Sequence, residues 1–156
     1  MQIYDNFLSE EEFGLIRGYF INGNFPWYYA PFANNTNDPE HYYQLSHVIY
    51  WSNLGKVSNA FDTIKPLVNK INPEILIKIK ANFNPRSDGS KVCEYHIDTD
   101  FNFNTKTAIY YINTKNLKNN NTEQHTLYSS IKNINQSIND VETVLYNFCY
   151  IIKFFF

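Results

Sequence analysis

Turn chemistry divides this chain in two. All five glycines fall at or before Gly89 and all six prolines at or before Pro85, so the last 67 residues contain neither. Gly supplies positive φ and Pro pre-sets a turn angle, and a compact domain ordinarily uses both to reverse its path. The C-terminal part is therefore suspect as a continuation of the same domain. The rest of the composition is permissive. A chain of 156 residues with 44% hydrophobic and 18% charged residues supports one domain with a real core and excludes global disorder. Asn, Ile, Lys, Tyr and Phe are the residues of AT-rich codons, so their abundance reads first as coding bias. A net charge of -2 gives no basic footprint for nucleic acid, and the same balance weakens a reading in which Tyr and Phe stack single-stranded bases. The opening Met1-Gln2-Ile3-Tyr4-Asp5-Asn6 has neither a basic n-region nor an apolar h-region. No stretch approaches the roughly 20 apolar residues of a membrane helix, so the expectation is a cytoplasmic protein without a membrane partner. Cys93 and Cys149 match no metal or redox spacing and are expected to be free thiols.

Local patterning predicts an α+β chain. Ser9 followed by Glu10-Glu11-Glu12 is a helix start with a capping box, and Phe13, Ile16, Tyr19 and Phe20 give that helix one apolar face. Asn22-Gly23-Asn24 ends it. Phe25 to Tyr29 and Tyr42 to Trp51 read as strands. A second helix is expected from about Asn53 to Asn69, with Pro66 as a kink or a new start. Glu74 to Phe83 carries the clearest alternation in the chain, Ile75, Ile77 and Ile79 against Leu76, Lys78 and Lys80. Val92 to Asp98 and Lys106 to Asn113 are the next expected strands. Helices first and strands afterwards suggest helices packed on one face of an antiparallel sheet.

Chemistry concentrates at His96-Ile97-Asp98. On a strand, residues i and i+2 share a face, so an imidazole and a carboxylate can approach one metal from one side. A second His from a distant strand would complete the facial triad of non-haem Fe(II) oxygenases. The bland alternative is a strand-end His beside a loop Asp, and H-x-D alone does not separate the two.

Context does. Tyr4-Asp5-Asn6-Phe7-Leu8-Ser9 opens the chain, a strand ends in Asn82-Phe83-Asn84-Pro85, Tyr95-His96-Ile97-Asp98 follows, and Thr107-Ala108-Ile109-Tyr110-Tyr111-Ile112-Asn113 comes about a dozen residues later. This order resembles the prolyl-4-hydroxylase-like branch of the 2-oxoglutarate/Fe(II) dioxygenases. The resemblance covers roughly residues 3–114 and is most specific over 95–113. It implies two N-terminal helices packed on a double-stranded β-helix (jelly roll). It also implies Fe(II) held by His96 and Asp98, 2-oxoglutarate as cosubstrate with ascorbate as a further requirement, and hydroxylation of a small-molecule or peptidyl substrate. Tyr111 resembles the hydroxyl that contacts the 2-oxoglutarate carboxylate, and Asn82 and Asn84 fall near the expected cosubstrate pocket.

The chain departs from the family in two places. Cys93 stands where relatives carry a Tyr three residues before the metal His. Beyond Thr114 there is no Gly and no Arg, and the only His is His125, 29 residues after His96. His125 is therefore the one candidate for the distal ligand, and Lys132 and Lys153 are the only lysines beyond it that could pair with the far carboxylate of 2-oxoglutarate. Residues 1–114 read as the oxygenase-like domain. Residues 115–156 read as an atypical tail, either out of frame or the degenerate end of the same domain, leaving the jelly roll incomplete with unpaired edges and an exposed Phe154-Phe155-Phe156. The primary expectation is an Fe(II)/2-oxoglutarate oxygenase, inactive if the distal ligand is lost. The competing expectation is a noncatalytic jelly-roll-like binding or structural protein of viral type.

Overall fold

The computed structural model describes residues 2–30, 44–84, 106–112, 126–131 and 149–156. In chain order the elements are β1 (Gln2–Asp5), α1 (Glu10–Ile21), β2 (Tyr28–Ala30), β3 (Gln44–Trp51), β4 (Gly55–Lys56), α2 (Ala60–Thr63), α3 (Lys65–Ile71), β5 (Lys78–Asn84), β6 (Lys106–Tyr111), β7 (Thr126–Ile131) and β8 (Cys149–Phe155). The fold is mixed α+β, with one antiparallel sheet and few helices. Among the described residues no helix is long and apolar enough to cross a membrane.

The first helix follows its sequence signals closely. The Ser9 hydroxyl accepts the Glu12 N–H at 3.3 Å, and the Ser9 N–H donates to the Glu12 carboxylate at 3.0 Å. Both halves of the capping box are therefore formed, and two otherwise unsatisfied N–H groups gain partners. Phe13, Ile16 and Phe20 face inward, and Asn22 caps the far end. Gly23 then takes φ 78°, a left-handed angle that costs a residue with a Cβ.

The expected second helix is not continuous. Gly55–Lys56 pairs back on β3 as a short strand, and the helical part breaks into α2 and α3 around Ile64. Pro66 sits in the first turn of α3, where a missing N–H is harmless, whereas inside one long helix its ring would clash with the carbonyl of Asp62. Asn72 ends α3 in the left-handed conformation with φ 48°, which Asn tolerates better than most residues. The alternating segment also starts late. β5 begins at Lys78 rather than Glu74, and Ile75 is 71% exposed.

The sheet order is β1-β7-β6-β8-β5-β3-β2, with β4 pairing β3. Every pairing is antiparallel. Its most consequential feature is β8, which comes from the last residues of the chain yet lies between β5 and β6. Phe154 and Phe155 are 1% and 2% exposed, so the expected exposed aromatic end is corrected. An apolar strand placed between two others satisfies its backbone on both edges, and burying each large side chain contributes on the order of 2 kcal/mol.

The two faces of the sheet differ. Ile79, Ala81, Ala108, Tyr110, Ile112, Ile152 and Phe154 form one core cluster with Phe13, Ile16 and Phe20 of α1 and Ala60, Ile64 and Leu67 of the α2–α3 region. Burial, with Glu12 and Glu10 nearby, pushes the Tyr110 hydroxyl well above its ordinary titration range. By strand alternation, Lys78, Lys80, Asn82 and Asn84 of β5 and Thr107, Ile109 and Tyr111 of β6 fall on the opposite face.

Candidate functional site

Register brings the described candidates together on that opposite face. Asn82 pairs with Ser46 on β3 and with Ile151 on β8, and Ile151 pairs with Tyr111 on β6. Ser46 in turn pairs with Tyr28 of β2. One row therefore runs Tyr111, Ile151, Asn82, Ser46 across four strands. Asn82 and Tyr111 are two strands apart, about 10 Å in backbone terms. Asn84 is two residues further along β5, opposite Cys149. The next row in the other direction places Lys80 opposite Lys153, and Lys153 opposite Ile109.

Asn82 is the chemically unusual member. It is 4% exposed, and its Oδ1 is buried with no hydrogen-bond partner among the described residues. A buried acceptor left unmet costs about 1–3 kcal/mol. A carboxamide offers one acceptor and two donors at a single position. It can therefore meet a carboxylate through Nδ2 and a hydroxyl or bound water through Oδ1. Tyr111 adds a phenol within the same row.

The predicted metal ligands have a different standing. His96, Asp98 and His125 lie outside the described residues, as do Cys93 and the expected strand over 92–98. His96 and Asp98 belong to the connection between β5 and β6, and His125 immediately precedes β7. Among the described residues no group of three or more His, Cys, Asp or Glu side chains could hold a metal ion. Sequence reasoning gave Lys153 no context, because nothing local indicates that its strand inserts beside Lys80. The apolar run around it was the only available signal.

No protein-family model matches the chain, and no curated protein matches it.

Proposed function

We propose that the chain is a jelly-roll Fe(II)/2-oxoglutarate-dependent oxygenase domain whose cosubstrate lies against the Tyr111–Asn82 row. The observation carrying this reading is the Asn82 Oδ1, buried and unpartnered among the described residues, on the face away from the described helices and in one row with Tyr111. The two were nominated from separate strands by resemblance alone.

Connectivity supports the jelly roll. β5 and β6 are both antiparallel to β8, so they run in the same direction. β7 and β8 are both antiparallel to β6 and likewise share a direction. Same-direction strands need a connection of about a dozen residues or more that returns along the sheet, and residues 85–105 and 132–148 are long enough. A jelly roll puts such return strands into a second, facing sheet. The described helices cover one face, which leaves the face of Asn82 and Tyr111 open to such a sheet. The return from β5 carries His96 and Asp98. On this reading residues 126–131 and 149–155 are working strands of the same domain rather than a separate tail.

The donor set fits the implied group. His96 and Asp98 would hold Fe(II), with His125 as the third candidate ligand. When bound, the iron with its 2-oxo acid supplies the oxidising chemistry that couples decarboxylation to succinate with hydroxylation of a C–H bond. The chain supplies binding and orientation. Tyr111 and the Asn82 amide would donate to a cosubstrate carboxylate, and Lys153 with Lys80 would provide the cationic end. Substrate would be a small molecule or a peptidyl side chain, with ascorbate as a reductant.

The test is succinate formation by folded protein given Fe(II), 2-oxoglutarate and ascorbate. The expected result is uncoupled turnover that His96→Ala abolishes, with Lys153→Ala raising the KM for 2-oxoglutarate at least about tenfold, the loss of one charge-assisted contact. Folded protein that neither binds Fe(II) nor yields succinate would overturn it. The noncatalytic jelly-roll reading would then stand, and it is favoured by the absence of any His after His125.

A further inference from the structure

His47 lies outside that row and carries a geometry of its own. It sits on β3 opposite Ala81, toward the helices, and is 7% exposed. Its Nδ1 is 2.7 Å from the Pro26 carbonyl oxygen and its Nε2 is 2.7 Å from the Ser58 hydroxyl. A carbonyl oxygen only accepts, so Nδ1 carries the ring proton of the neutral imidazole. Nε2 then presents its lone pair, and the Ser58 hydroxyl donates to it. The Ala60 N–H donates to the same Ser58 oxygen at 3.2 Å, which leaves the hydroxyl proton one favourable direction. The imidazole is clamped between aromatic rings, with Phe25 at 4.7 Å and Tyr28 at 5.5 Å, the latter nearly parallel at 28°.

These are the parts of an activated nucleophile: a hydroxyl, a base in hydrogen-bond reach and a third group that fixes the base. Here the Pro26 carbonyl takes the orienting place that an acid takes in a triad. Ser58 is half-buried, with the exposed Val57 and Asn59 beside it in the chain, and the Tyr28 ring over His47 is exposed as well. The Asn59 N–H, next after the nucleophile, makes no hydrogen bond among the described residues. It is a free donor for a developing oxyanion.

We propose that Ser58 is an acyl-accepting nucleophile with His47 as its general base, acting on small uncharged esters with an aryl leaving group. The Ser58 Oγ forms a bond to the ester carbonyl carbon while its proton passes to His47 Nε2. The tetrahedral adduct collapses, the carbon–aryloxy bond breaks and the leaving aryloxide takes the proton from Nε2. Water then enters by the same route and releases the carboxylic acid. The exposed faces of Tyr28 and Val57 suit an apolar leaving group better than a charged one. No metal or 2-oxo acid takes part, so this activity is independent of the oxygenase reading.

The experiment uses p-nitrophenyl acetate and a fluorophosphonate probe on the full chain, with a metal chelator present and no 2-oxoglutarate. The expected result is a burst of p-nitrophenolate and one phosphonyl adduct that peptide mass spectrometry places on Ser58. Ser58→Ala should remove the adduct and lower the rate at least about 100-fold, the lower end of what a positioned base contributes. Ser58→Cys keeps a nucleophile on the same hydrogen bond and should regain an acyl adduct at that position. Thermal unfolding of each variant shows that it is folded. A folded wild-type chain without burst or adduct, an adduct on any other residue, or hydrolysis by Ser58→Ala at the wild-type rate would each overturn the proposal.

Discussion

The two faces of the central sheet are built to different rules. Toward the helices, β5, β6 with the following Ile112, and β8 present Ile79, Ala81, Ala108, Tyr110, Ile112, Ile152 and Phe154, all buried in one cluster. On the other face the same strands carry Lys78, Lys80, Asn82 and Tyr111, and a carboxamide is buried there with its acceptor unmet among the described residues. Packing alone explains the first face. It does not explain the second, where an apolar residue would serve stability better than Asn82. Local departures from the stability optimum gather at functional sites, and this contrast supports placing the cosubstrate on the second face.

Substitutions on the two faces should therefore differ in sign. The largest effect belongs to the helix-covered face. Phe154→Ala should destabilise by about 3–5 kcal/mol, the cost of truncating a fully buried aromatic, read from urea unfolding. A loss below about 1 kcal/mol would mean that β8 is not held in the centre of the sheet.

The opposite face gives a smaller effect in the other direction. Asn82→Val keeps a similar volume, suits a strand and removes the unmet acceptor. Stability should rise by about 1 kcal/mol while the KM for 2-oxoglutarate increases or turnover disappears. Destabilisation of 2 kcal/mol or more would show that the amide is structural, and the contrast between the faces would fail.

A third effect, similar in size to the second, calibrates both, because it is confined to the N-terminal end of α1 and touches neither face. Ser9→Ala should cost about 1 kcal/mol through loss of the cap. The Ser9 N–H and hydroxyl hold the Glu12 carboxyl below its usual value of 4.5. A depressed folded-state value means that the unfolded chain binds the proton first as pH falls. The contribution of Glu12 is thus present above pH 4.5 and lost as pH drops through the lower folded value. The difference in urea midpoint between wild type and Glu12→Gln should shrink toward zero between pH 7 and pH 3. A difference that persists unchanged at pH 3 would rule out the capping carboxylate as its source.

Legibility in the sequence tracked how local each interaction is. Ser9, Glu12 and the Phe13–Ile16–Phe20 spacing announced α1 because every partner lies within one turn or one face. Lys106 to Tyr111 was readable because its run of β-formers suits a strand. The segment from Asn53 to Asn69 misled because Phe61, Ile64, Leu67 and Val68 keep helical spacing across a break imposed by Pro66 and by pairing of Gly55–Lys56 with β3. The candidate site was nominated residue by residue through resemblance. The row that joins Tyr111 to Asn82 was not legible, because it runs through Ile151, about 40 residues from one and 70 from the other.

The sequence by itself determined the capped first helix, the α+β class and the strands over Gln44–Trp51, Lys78–Asn84 and Lys106–Tyr111, and it nominated His96 and Asp98 only as candidates. Only the tertiary structure decided where the glycine- and proline-free end of the chain goes. A short apolar run such as Cys149 to Phe155 reads equally as waste or as core. What settles it is whether two strands stand one strand-width apart with their backbone groups open, and β5 and β6 do. Once β8 fills that gap, the backbone hydrogen bonds are satisfied on both of its edges, Phe154 and Phe155 are buried, and Asn82 and Tyr111 are fixed on either side of it.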